Sequence, residues 1–310
     1  MPVLRPSGSD FTSFVKAAAQ YVPAGRAGKT SKSGGVPVAL PGLGAFVRAS
    51  QVGALASPTT SAVVINGITP PPAGGGGPPP VSIPASVSGL QLWLDAADPL
   101  GTGTPPANGA AVPTWVDKSG NGRNGTGFNG PTYSSSGIVF NGTSTYFETT
   151  YTGGPTAETV FVIQKRTVRQ HGDLVVAYPN GGREFYITGD DGLQFNNKGV
   201  AVLGAVSIFP ITNVTQLVGY TYTTSSASFY QNGTNVLTAA FSNTFSATGA
   251  PTFIGGGGRG TMAGTISEVV IYNTGLTTTQ RQRVEGYLAW KWGLQASLPA
   301  GHPFKTAAPT

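Results

Sequence analysis

The stretch PPPAGGGGPPP at residues 70–80 constrains this chain more than any other feature. Proline triplets favour extended polyproline II and the glycine quartet between them is freely flexible, so neither a helix nor a sheet runs through it. The sequence is therefore read as an N-terminal arm (1–69), a Pro/Gly-rich linker (70–87), a folded domain (88–306) and a short tail (307–310). Charge divides along the same line. Arg5, Lys16, Arg26, Lys29, Lys32 and Arg48 face the single acid Asp10 before the linker, whereas the net charge of the whole chain is only +6. A basic arm on an almost neutral body suits an acidic partner surface. Its charges are too dilute for nucleic-acid binding, which is not expected.

Within the arm, Ser9 and Asp10 are suitable caps for a short amphipathic helix over about residues 10–22. Phe11, Phe14, Val15 and Ala18 recur at spacings of three and four and form its apolar stripe. A helix of this length is marginal alone in water, so these four residues are the expected partner-docking set. The rest of the arm runs through Gly-Pro punctuation with apolar stretches too short for a core of their own, and is read as extended and mostly irregular. No segment has the apolar length of a membrane span. The polar start of the chain does not read as a secretory signal either.

After the linker the pattern is strand upon strand. Runs rich in β-branched and aromatic residues occur at 90–94, 138–140, 159–168, 174–178, 184–187, 216–223, 228–230, 236–240 and 266–272, separated by Gly, Asn, Asp and Pro. Gln231-Asn232-Gly233-Thr234 has the composition of a tight hairpin turn. One helix breaks the series: Thr277-Thr278-Thr279-Gln280 fits a capping box, Val284, Tyr287, Leu288 and Trp292 share a face, and Gly293 stops it. Trp290 and Lys291 fall off that face. The fold class is all-β, an antiparallel β-sandwich sealed by one C-terminal helix. With no Cys and only two His, thiol nucleophiles, disulfides and thiolate metal sites are excluded and a His-based centre has little to draw on.

Gly89-Leu90-Gln91-Leu92-Trp93-Leu94-Asp95-Ala96-Ala97-Asp98, then Trp115-Val116-Asp117-Lys118-Ser119-Gly120-Asn121-Gly122 and Val139-Phe140-Asn141-Gly142, resemble the opening strands of LamG-like jelly rolls in the concanavalin A-like lectin/glucanase superfamily. The ending is similar as well. Ile266 to Asn273, Val284 to Gly293, Leu298-Pro299 and His302-Pro303-Phe304 match that family's closing strand, helix and tail. The resemblance is to the version found in virus or phage structural proteins and bacterial surface proteins. It implies a jelly roll of two antiparallel sheets with rim loops that in some members hold carbohydrate or calcium.

Each implied site is weighed on its own residues. The hydrolytic branch of the superfamily places two carboxylates on one strand. Here the nearest candidate, Glu148, has no acid two or four residues away, so no catalytic residue is assigned and no enzyme activity is expected. Calcium is the one metal the resemblance allows, with Asp95, Asp98, Asp117, Asn121 and the Asp190-Asp191 pair as candidates, but no ligand set stands out and no cofactor is assigned. Asp117 is most simply a loop anchor for backbone N–H groups. Tyr133, Tyr146, Tyr151 and Tyr178 lie beside turns and are the candidate sugar-facing aromatics. The Gly255–Gly258 quartet lacks the Lys-Ser/Thr and helix of a phosphate loop and is read as a sharp turn. The sequons at Asn124, Asn141, Asn213 and Asn232 are mostly Asn-Gly-Thr, a turn composition.

A docking arm, a flexible spacer and a sandwich without a catalytic set together describe an appendage. The expected function is a structural, virion-type surface protein, with the arm anchored in a capsid or shell protein and the LamG-like domain displayed for attachment, decoration or subunit contacts. Glycans at the rim loops and a homo-oligomer are compatible partners. The alternative is a carbohydrate-binding adhesin of a bacterial cell surface, and a remoter one is a divergent glycoside hydrolase.

Overall fold

A computed structural model describes residues 37–39, 46–48, 83–153, 156–177, 183–188, 192–197, 200–206, 212–240, 249–258 and 260–310. The chain divides into Met1–Pro70 and Pro71–Thr310. In the first part β1 (Pro37–Ala39) and β2 (Phe46–Arg48) pair antiparallel, with Val38 opposite Val47. The expected helix over 10–22, with Phe11, Phe14, Val15 and Ala18, lies outside the described residues.

The second part carries β3 (Leu90–Asp95), β4 (Thr114–Trp115), β5 (Gly125–Phe128), β6 (Thr132–Ser134), β7 (Gly137–Asn141), β8 (Tyr146–Thr149) and β9 (Glu158–Arg166). There follow β10 (Gly172–Ala177), β11 (Arg183–Ile187), β12 (Leu193–Asn197), β13 (Val200–Val206), β14 (Gln216–Tyr222), β15 (Ser226–Gln231), β16 (Thr234–Ala240), β17 (Thr252–Ile254) and β18 (Ala263–Tyr272). They form two antiparallel sheets. One runs β16-β15-β14-β9-β18-β7-β6, with β3 also on β18, and the other β13-β12-β11-β10-β17-β8-β5-β4. The all-β sandwich with one long C-terminal helix is the architecture read from the sequence.

The two sheets share a core in which Leu92, Val160, Val162, Val269 and Ile271 of the first face Phe147, Phe185, Phe195 and Ile254 of the second. The opposite side of the first sheet is equally apolar. Trp93, Phe161, Ile163, Val270 and Tyr272 meet Val284, Tyr287 and Leu288 of the helix Thr278–Lys291 there. A strand covered on both faces needs no polar alternation, and β18 is buried at every position. Where one face meets solvent the alternation returns, as in β15.

The body begins inside the stretch read as linker. Ile83–Ser86 form a short helix, Ile83 and Val87 are buried against the C-terminal helix layer, and the Tyr272 hydroxyl donates to Pro84 O at 2.9 Å. Among the described residues, Ile83 is the first to pack against this layer.

Two local signals are realised as spelled. Asn232 and Gly233 both have positive φ (46° and 78°), the requirement of the two-residue turn joining β15 to β16. At the helix start the Thr277 side chain accepts from Gln280 N while the Gln280 side chain accepts from Thr277 N at 3.0 Å. Thr277→Ala removes the cap acceptor and is expected to cost about 1 kcal/mol, read from the shift in urea midpoint. Trp290 and Lys291, expected off the packed face, are not in solvent. The Trp290 indole donates to Phe304 O at 2.7 Å, and Lys291 is ion-paired below the helix with Asp95 and Glu268. The reason is tertiary: the tail folds back on one side, and β3 and β18 present acids on the other.

Candidate functional site

Asp95 ends β3, Asp98 follows it, and Asp117 and Asn121 lie in the loop after β4; the three carboxylates are already engaged. Asp117 accepts the N–H groups of Trp93, Ser119 and Arg123 at 2.9–3.0 Å and the Ser119 hydroxyl at 2.8 Å. It is the loop anchor read from its position. Asp95 and Asp98 are bridged by Lys118 Nζ at 3.4 and 3.1 Å, so an ammonium stands where a cation would. The Asn121 amide donates to Leu90 O and Gln91 O. Asp190 and Asp191 lie outside the described residues, and among the described residues no three or more His, Asp or Glu are grouped for a metal.

The candidate tyrosines separate by face. Tyr133 and Tyr151 are buried in the core, and the Tyr151 hydroxyl donates to the buried Glu158 at 2.7 Å. Tyr178 lies outside the described residues. Tyr146 is the one that faces outward, because Phe147 beside it points into the core.

Both described helices pack on the first sheet, so the face of the second sheet turned away from the core has no helix over it among the described residues. Strand pairing builds a straight row across that face. Thr126 of β5 stands opposite Glu148 of β8, Glu148 opposite Phe253 of β17, Phe253 opposite Val176 of β10, Val176 opposite Glu184 of β11, and Glu184 opposite Asn196 of β12. In the next row Phe128 opposes Tyr146 and their rings stack, centroids 4.8 Å apart and 10° from parallel. Phe253 meets Tyr146 edge-on at 5.7 Å. Phe128, Tyr146 and Phe253 are all half-buried, leaving part of each ring available.

The glycine quartet shapes one edge of this platform. A Cβ on Gly257 would lie 2.7 Å from the Phe253 ring, and one on Gly255 (φ 78°) 2.1 Å from Phe140. The turn serves close approach to aromatic rings rather than phosphate. Further along the same face the lining becomes polar. Asn196 Nδ2 donates to Glu184 Oε2 at 3.1 Å and to the Tyr186 hydroxyl at 2.9 Å, and the His171 ring stacks on Tyr186 at 4.4 Å.

Sequence reading found Tyr146 and Glu148 but missed Phe128, Phe253, Glu184, Tyr186 and Asn196. β5 and β17 are four and three residues long, too short for alternation to show. Glu148 and Glu184 share a row but stand three strands apart. At about 4.8 Å per strand that is roughly 14 Å, wider than the about 5–9.5 Å between the two acids of a glycosidase.

Residues 141–280 match the family model described as the concanavalin A-like lectin/glucanases superfamily, of laminin G type. No curated protein is significantly similar to the chain in sequence. Among solved structures it is similar to a botulinum neurotoxin type C that depends on two ganglioside molecules to get into cells (12% identity, 64% of this chain, 51% of that one, TM-score 0.47). It is also similar to the binding domain of botulinum neurotoxin DC in complex with rat synaptotagmin II (13% identity, 64% and 52%, TM-score 0.44). A third is the Trypanosoma rangeli sialidase in complex with sialic acid (17% identity, 66% and 33%, TM-score 0.47). This chain thus spans about half the length of the toxin chains and a third of the sialidase. The matched segment runs from the end of β7 into the C-terminal helix, and over that stretch this chain is similar to the concanavalin A-like lectin/glucanase superfamily.

Proposed function

We propose that the protein is a displayed recognition module that binds a glycan on the outer face of its second sheet and performs no covalent chemistry on it. The observation that carries this reading is the aromatic platform of Phe128, Tyr146 and Phe253 beside the Glu148 carboxylate and the exposed Thr126 hydroxyl. A pyranose ring offers an apolar C–H face for packing on aromatic rings and equatorial hydroxyls for a carboxylate acceptor, and this face supplies both within two residue rows. A single carboxylate in reach supports binding over hydrolysis.

The setting we propose for this module is the surface of a virion-type particle, with residues 1–69 anchored in a capsid or shell protein and the Pro/Gly linker holding the jelly roll outward. The basic charge and apolar stripe of the arm support that setting, and many copies on one shell would raise a weak sugar affinity by avidity. A bacterial cell-surface adhesin is the second reading, and it uses the same face.

Full-length protein on a glycan array, with and without calcium, tests the site. Binding to one glycan class is expected, and Tyr146→Ala and Phe253→Ala are each expected to weaken it roughly tenfold, about 1.4 kcal/mol, with unchanged circular dichroism. Undiminished binding by the double variant would overturn the assignment of this face. Incorporation of a chain lacking residues 1–69 into particles would overturn the anchor.

A further inference from the structure

The ion cluster beneath the C-terminal helix is unused by the glycan face. Lys291 Nζ stands 2.7 Å from Asp95 Oδ1 and 2.7 Å from Glu268 Oε2. The Asp95 and Glu268 side chains are 2% and 0% exposed, and that of Lys291 15%. The surroundings are aromatic. The Trp93 and Trp292 indoles donate to the two Glu268 oxygens at 2.7 and 2.6 Å, the Tyr287 hydroxyl donates to Oε1 at 3.2 Å, and the ammonium lies 5.3 Å from the Tyr287 ring centre. As an ion cluster alone this is a poor source of stability, since three charges are taken out of water. As a reaction site it brings together an amine and two carboxylates whose oxygens both touch that amine, on three packed elements.

We propose that Lys291 and Asp95 condense into an intramolecular amide, with Glu268 carrying the proton, so that the C-terminal helix is covalently stapled to β3. Glu268 takes one proton from the Lys291 ammonium, and the freed lone pair of Nζ attacks Asp95 Cγ to form the N–C bond. The Cγ–O bond then breaks with its electron pair leaving on oxygen. That oxygen departs as water, carrying the proton relayed by Glu268 and a second proton from Nζ. An ammonium and a carboxylate become one amide and one water, with no oxidant or activating group required.

The surroundings favour each step. Burial pushes the Glu268 carboxyl up, against the pull of Lys291, which suits it to hold the proton in transit. The Ala97 N–H at 2.9 Å from Asp95 Oδ1 and Lys118 at 3.4 Å from Oδ2 flank the oxygens that gain charge in the tetrahedral intermediate. Holding amine and carboxyl together on two packed elements replaces a bimolecular encounter with an intramolecular one. The two carboxylates, 2% and 0% exposed, offer little access to the water that would reverse the reaction. A chain with no Cys has no disulfide to close its ends, and this bond would close nearly the whole jelly roll into one loop.

Intact-mass measurement of the purified full-length protein is expected to give a mass one water below that of the sequence. Trypsin should fail to cut after Lys291, and the digest should contain a branched peptide joining the Asp95 and Lys291 segments. Lys291→Ala and Glu268→Gln should return to full mass, and retained circular dichroism shows that they fold. Wild-type protein of full mass, cut normally after Lys291, would overturn the proposal without recourse to any variant. So would a water loss that persists in Lys291→Ala with no branched peptide, the mark of ring closure at Asp191-Gly192. Full cross-linking in Glu268→Gln would overturn the proton-carrier role.

Discussion

Phe147→Ala is expected to destabilise the jelly roll by about 3–5 kcal/mol, the range for a buried phenylalanine whose cavity does not collapse. Phe147 is fully buried and meets Trp115 edge-on at 5.4 Å and Phe140 at 6.1 Å. What makes the site costly is its roof. A Cβ on either Gly125 or Gly127 of β5 would lie 3.2 Å from the Phe147 ring, so this strand approaches the ring as bare backbone and has no side chain to fill a void. Trp115 Nε1 is buried nearby with no hydrogen-bond partner among the described residues, and a cavity beside it gains a polar wall. Phe147→Leu, which keeps most of the volume, is expected to lose far less. Urea unfolding of both variants checks the ratio. A loss below 1 kcal/mol for the alanine variant would mean that the second sheet is not closed over this ring.

The Phe147 environment also explains what was legible in the sequence. Long strands declared themselves because β9 and β18 bury both faces and read as unbroken apolar runs, while the turn at Asn232-Gly233 and the Thr277 cap use residues whose local chemistry demands that geometry. The second sheet was half hidden. β5 reads Gly-Thr-Gly-Phe and β17 Thr-Phe-Ile, and a strand whose job is close approach to a ring carries glycine where a propensity scale expects a branched side chain. The candidate site inherits that blindness. Tyr146 was visible beside Glu148, but Phe128 and Phe253 join it only through pairing of strands distant in sequence. Lys291 failed for the complementary reason. Helical spacing places it off the apolar face, and nothing local records that Asp95 and Glu268 arrive beneath it from two other strands.

The second large effect is expected at Glu285, where the alanine variant should lose about 3–5 kcal/mol, because it strands a buried guanidinium. Glu285 Oε1 accepts from Arg281 Nη1 at 2.5 Å, and Oε2 lies 3.3 Å from His302 Nε2. The Phe304 N–H donates to His302 Nδ1 at 3.2 Å, so the ring proton sits on Nε2 and points at Glu285. Arg281 in turn is buried and lies over the Tyr230 ring of β15 at 4.0 Å. Removing one partner is the costly change, whereas removing both charges is not. The Arg281→Met/Glu285→Leu pair is therefore expected to recover most of the loss, and a double-mutant cycle on unfolding free energies measures the coupling. Additive single losses would show that each residue packs independently and that the pair is incidental. The same contacts give the C-terminal signature its physical meaning. Gly286 is required because a Cβ there would lie 2.6 Å from Phe304, Trp290 holds Phe304 O, and His302 is read by Glu285, so the tail and helix fold as one lid over the first sheet.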